Sequence, residues 1–180
     1  MPATRNRDQL IRILPRGVIA GVIGGVLMAI FVMIASATYL HMGFFTPLYA
    51  IAVPLIGQQP LLASIADGIF YLAPGPALLG LVGHLLWSAL WGLIFGLFAH
   101  RLHLTGGRAI ISGLIYGVLV MLVMVFLVLP IVGASTILQL LGGWVFIITI
   151  ANALFYGMSL GLWPVLQPQF FTDLSARQAV

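Results

Sequence analysis

The side chains of this 180-residue sequence that could do chemistry are few: four histidines, three acidic residues and scattered amides and hydroxyls. There is no cysteine, and reading along the chain finds no lysine and no glutamate. That excludes disulfides, thiolate metal sites, thiol nucleophiles and a buried Lys or Glu acting as acid or base. His84 stands out, because it lies within a long apolar stretch with Gly80 one turn before it and Ser88, Gly92 and Gly96 continuing its helical face. A neutral imidazole in that setting can relay protons, ligate a haem iron or a chlorophyll-type magnesium, or hydrogen-bond a neighbouring helix. A bis-histidine haem would need a second histidine at the same depth, which the apolar stretches lack. His41, His84 and Asp67 are a candidate metal set by ligand type, although no ligand-spacing motif joins them. His100 and His103 flank Arg101, a repelling charge, and read as an interfacial pair. Asn152, with Thr149 one turn before it, is the other intramembrane polar candidate, and the expected role is a hydrogen bond joining helices. No nucleophile–base pair, paired carboxylate or phosphate-cradling loop appears, so no catalytic residue is assigned and an enzyme is not expected.

The elements that must position these groups are set by solvent. Charged residues make up only 6% of the chain and hydrophobic ones 62%, a composition that cannot cover a water-soluble surface. Four stretches, 17–40, 77–99, 109–129 and 140–163, contain no Asp, Glu or Arg. Each is long enough to cross a hydrocarbon core about 30 Å thick as a helix. No alternating barrel pattern is present, so an all-α, four-transmembrane-helix bundle is expected, forming one membrane domain over 1–180. The segment Ala35-Ser36-Ala37 resembles a signal-peptide cleavage site, but the apolar run is too long for a signal core and continues past it.

All the cations, Arg5, Arg7, Arg12, Arg16, Arg101, Arg108 and Arg177, fall before the first span, between the second and third, or after the fourth. Arginine retained on the cytoplasmic face then predicts a cytoplasmic N-terminus (1–16), turn (100–108) and tail (164–180), with extracytoplasmic segments at 41–76 and 130–139. The same bias explains a net charge of +4 without any nucleic-acid partner.

Residues 16–27 align with 108–119, with Arg16/Arg108, Ile19/Ile111, Gly21/Gly113, Ile23/Ile115, Gly25/Gly117, Val26/Val118 and Leu27/Leu119 identical. At a different offset Gly92 and Gly96 match Gly157 and Gly161. The chain thus reads as an internal repeat, two tandem parallel-repeat helical hairpins. Every span carries small residues four apart: Gly17, Gly21 and Gly25; Ser88, Gly92 and Gly96; Gly113 and Gly117; Ala153, Gly157 and Gly161. Such stripes bring backbones close where lipid supplies little hydrophobic drive. Trp144 and Trp163 suit the aromatic belts, while Trp87 and Trp91 lie deeper.

The connection 41–76 is apolar and proline-bearing. Its segment 47–56 is too short to span and should lie in the interface or dip in under protein cover. Residues 61–71 place Leu62, Ile65 and Ile69 at helical spacing with Asp67 off that face, which predicts a short amphipathic helix.

The Gly-rich first span after an Arg-rich start, the proline-bearing outer segment and Gly80-x-x-x-His84 in the second span resemble the YagU-like inner-membrane proteins of bacteria. The resemblance covers the first two spans and implies a bacterial inner (plasma) membrane, but no chemistry. The functional expectation is a non-catalytic accessory or scaffold subunit in the lipid bilayer, packing with other membrane proteins or as a homo-oligomer, and without a cofactor. Its alternatives are a haem, pigment or metal protein using His84, and a small channel or transporter.

Overall fold

A computed structural model describes residues 2–131 and 144–166. The described residues are helical, with no strand among them. The long helices are α1 (Pro2–Thr38), α4 (Pro74–Arg101), α5 (Gly106–Ile131) and α6 (144–166). Each contains a segment long and apolar enough to cross a bilayer: Leu14–Thr38, Pro74–Arg101, Gly106–Ile131 and Val145–Pro164. The protein is therefore an all-helical, four-span membrane bundle. The short helices α2 (Thr46–Ile56) and α3 (Gln59–Ala66) sit between the first two spans. The expected start of the fourth span at 140–143, most of the segment 130–139, and Arg177 with the tail beyond 166 lie outside the described residues.

Local chemistry sets the ends. Proline occupies the first helical turn of α2, α3 and α4, where a missing N–H costs no hydrogen bond. Helix α1 stops where His41 turns into the left-handed region (φ 53°), and the buried Ser36 hydroxyl donates to Gly43 O (2.8 Å) to tie down the exit. At the opposite end His103 (φ 50°) and Gly106 (φ 55°) reverse the chain between α4 and α5.

Two tight seams build the bundle. Along α1–α4, a Cβ placed on Gly17 would stand 2.6 Å from Gly92 O, and one on Gly21 would stand 2.9 Å from Gly92 Cα and against Ser88 O. Along α5–α6, a Cβ on Gly113 would meet Gly157 O and stand 2.9 Å from Gly161 Cα, and one on Gly117 would stand 3.1 Å from Gly157 Cα. Only glycine permits approaches this close. The paired contacts place Ser88 opposite Gly21 as Gly157 is opposite Gly113, and Gly92 opposite Gly17 as Gly161 is opposite Ala109. Gly92 therefore occupies the position of Gly161, one turn away from the match that sequence identity suggests. Packing direction, not residue identity, sets that register.

Helix α1 also packs broadly on α6, so the helices run α4, α1, α6, α5 around the bundle. The backbones of α4 and α5, joined by a short turn, make few close approaches, and Tyr116 of α5 bridges them by packing on Trp91 and Phe95.

The connection between the first two spans is a packed cap. Helix α2 buries Leu48, Tyr49, Ala52 and Val53, and Gly80 of α4 lies directly against the Leu48 backbone. Thr46 and Ser64 share a buried hydroxyl–hydroxyl bond (2.9 Å), and Ala73 N–H donates to Tyr49 Oη (2.8 Å). Ser64 Oγ–H in turn donates to Leu61 O, so both hydroxyls of the buried Thr46–Ser64 pair have partners. The amphipathic helix expected over 61–71 ends at Ala66, and its packed face carries Leu61 and Ser64. Leu62 and Ile69 are exposed instead, because the hydroxyl pair, not the apolar spacing, orients α3 on α2.

Candidate intramembrane cavity

Where α4 and α5 diverge, a cavity of about 410 Å³ opens under α2. Its walls are mostly apolar: Met28 and Val32 of α1, Ile51 and Pro54 of α2, Trp87 and Trp91 of α4, and Met121 and Val125 of α5. Large side chains hold α4 and α5 apart here, whereas glycines collapse the other α4 face onto α1. Both α5 and α6 contain a π-helical segment, Met124–Val128 and Ala151–Gly157, and both segments line the cavity. A π-turn widens the helix and re-aims side chains, a device that recurs at binding sites.

The cavity's polar groups are His84, Ser88, Asn152 and Tyr156, together with Thr46 at the cap. Tyr156 Oη donates to Ser88 O (2.7 Å), crossing from α6 to α4 and fixing their relative level. Tyr116 Oη donates to Trp91 O (2.9 Å) and makes the corresponding tie from α5. One turn toward the cap from the first tie, His84 and Asn152 face the cavity from opposite walls, since α4 and α6 run in the same direction.

The hydrogen bond of His84 goes to the backbone: its Nε2 lies 2.9 Å from Gly25 O of α1. A carbonyl only accepts, so Nε2 carries the proton and Nδ1 keeps its lone pair. A haem or pigment at His84 would have to be ligated through Nδ1. Asn152 does not join helices as the sequence suggested. Its Nδ2 donates to Ile148 O of its own helix (3.0 Å), as Thr149 does to Val145 O (2.6 Å). A buried amide beside a free carbonyl of the preceding turn finds that nearer acceptor first.

The candidate metal set is not assembled. His84 is held inside the bundle, while His41 and Asp67 are exposed around the cap. Among the described residues no three of His, Cys, Asp and Glu converge on a common point. The packing set lies on the two seams: Gly17, Gly21, Gly25, Ser88, Gly92 and Gly96 on α1–α4, and Gly113, Gly117, Gly157 and Gly161 on α5–α6. Ala153 is half-buried beside the latter seam. What sequence reasoning missed is the cavity and Tyr156, and it placed Ser88 only in the packing stripe and on the face of His84. The one available signal was the bulk of Trp87, Trp91 and Met121 on faces turned away from the glycines.

No family model, curated protein or solved structure matches this chain.

Proposed function

We propose that this protein is a non-catalytic, membrane-embedded binding protein that holds a small lipophilic molecule in the cavity between α2, α4 and α5. The carrying observation is the cavity itself: apolar walls, a few oriented polar groups, and a volume in the range of small-ligand sites. A pure scaffold is less well supported, because the small-residue stripes that could dock a partner helix are engaged inside the chain. The arginine bias supports cytoplasmic termini, the resemblance to YagU-like proteins supports a bacterial inner membrane, and the two glycine seams support descent from a duplicated hairpin.

Gly83 offers a clean test, since a Cβ there would meet only Ile51 Cγ2 at 3.5 Å and its side chain would grow into the cavity. Native mass spectrometry of gently extracted protein should show a bound lipophilic molecule in the wild type and none in a folded Gly83→Leu variant. Identical spectra from the two would overturn the reading.

A further inference from the structure

The polarity of the cavity is set by where its protons go. His84 Nε2–H is committed to Gly25 O, Ser88 Oγ–H to His84 O, Tyr156 Oη–H to Ser88 O, and one N–H of Asn152 to Ile148 O. All four acceptors are backbone carbonyls, which cannot donate in return. Each bond therefore runs from side chain to carbonyl, which in the neutral imidazole of His84 leaves Nδ1 unprotonated and turns Oδ1 of Asn152 away from Ile148 O. What these side chains still offer is lone pairs. His84 Nδ1 and Asn152 Oδ1 have no partner among the described residues. Neither is sealed off by its neighbours, in contrast to the buried indole nitrogen of Trp91, which finds no acceptor. Both residues line the cavity from facing helices at one level. The donors that remain on the walls are the second N–H of Asn152 and the indole of Trp87, which lies 40% exposed at the cavity's edge.

We propose that the cavity selects a lipophilic molecule whose polar end is a hydrogen-bond donor, a hydroxyl, seated between His84 Nδ1 and Asn152 Oδ1 with its apolar body against Trp87, Met121 and Val125. This rests on the binding-cavity reading above and adds the ligand class: long-chain or isoprenoid alcohols and quinols rather than the ketones, quinones or ethers of the same skeleton. The discrimination is physical. A ketone brings only lone pairs to a level where two acceptors face it and one donor, the second N–H of Asn152, remains, so its oxygen exchanges its water or headgroup hydrogen bonds for at most one. A hydroxyl replaces them with one of two acceptors that are pre-oriented by their own bonds to backbone.

The test uses the full-length protein carrying Trp144→Phe and Trp163→Phe, so that fluorescence reports Trp87 and Trp91. It is placed in nanodiscs with brominated dodecanol or the equally long brominated dodecan-2-one at matched mole fractions. We expect the alcohol to quench at about tenfold lower mole fraction than the ketone, the effect of one to two neutral hydrogen bonds in a dry site. In Asn152→Leu that advantage falls to about threefold or less, while Gly83→Leu abolishes quenching by both. Equal quenching by alcohol and ketone in the wild type, or an undiminished advantage in a folded Asn152→Leu variant, overturns the donor selectivity and leaves the cavity reading standing. If Asn152→Leu does not fold, the wild-type ratio decides. Quenching that Gly83→Leu leaves unchanged overturns the cavity reading and this inference with it.

Discussion

Helix α4 presents two faces that behave in opposite ways. On one, Ser88, Gly92 and Gly96 meet the glycines of α1 so closely that backbone touches backbone. On the other, Gly83 and Trp87 look across a cavity at α5, whose backbone stays away from α4 while Tyr116 reaches over to Trp91 O and packs on Phe95. Apolar side chains gain little by leaving lipid for protein, so the closeness of two spans is decided by dispersion contact and by the size of the residues between them. The glycine face therefore carries stability. The aromatic face has been left free to hold something else.

Substitutions on the two faces should separate by size of effect. Gly92→Leu would drive a side chain into Gly17 O and stand within 2.6 Å of Gly21 Cα, where no flexible atom can yield. We expect a loss of about 3 kcal/mol or more and little folded protein, read as aggregation on size-exclusion chromatography. Folded, monodisperse Gly92→Leu would break the comparison outright. Gly80→Val tests the cap, because its Cβ would run into the Leu48 backbone. A cost of about 2 kcal/mol is expected, seen as a lowered midpoint in denaturant-induced unfolding.

Tyr156→Phe removes the hydroxyl that crosses from α6 to Ser88 O without changing packing volume. In membrane proteins such a bond is worth about 0.6 kcal/mol, so a drop near that size sharpens the view that the cross-tie sets level more than stability. The smallest effect belongs to Gly83→Ala, three residues from Gly80 and on the cavity side, where the added methyl meets Ile51 Cγ2 at an ordinary 3.5 Å. Its stability should stay within about 0.5 kcal/mol of wild type. A large loss there would mean that α4 and α5 close upon each other, and that no cavity persists between them.

Much of the architecture was legible because it depends on one-dimensional properties. The four spans follow from charge-free length, and the glycine stripes from four-residue spacing, since a lipid-exposed backbone has no alternative to the helix. His84 was legible as an unusual intramembrane side chain, but not its partner. Spacing cannot tell whether an imidazole faces Asn152, a hydroxyl or, as it does, the Gly25 carbonyl. The expectation that Asn152 bridges helices failed for a local reason, because the nearest acceptor is in its own preceding turn. The face of α3 was misread for a tertiary one, the Thr46–Ser64 bond.

By itself, then, the sequence determined that this chain crosses the membrane four times, as helices, and which faces of those helices can approach closely. Only the tertiary structure decided that α4 collapses onto α1 and stands away from α5, that the gap lies beneath α2, and that the polar groups there have their protons committed to backbone carbonyls. The physical reason is that length and small-residue spacing are properties of single helices. A cavity, and the direction of the hydrogen bonds around it, exists only once several helices have settled at their relative depths and rotations.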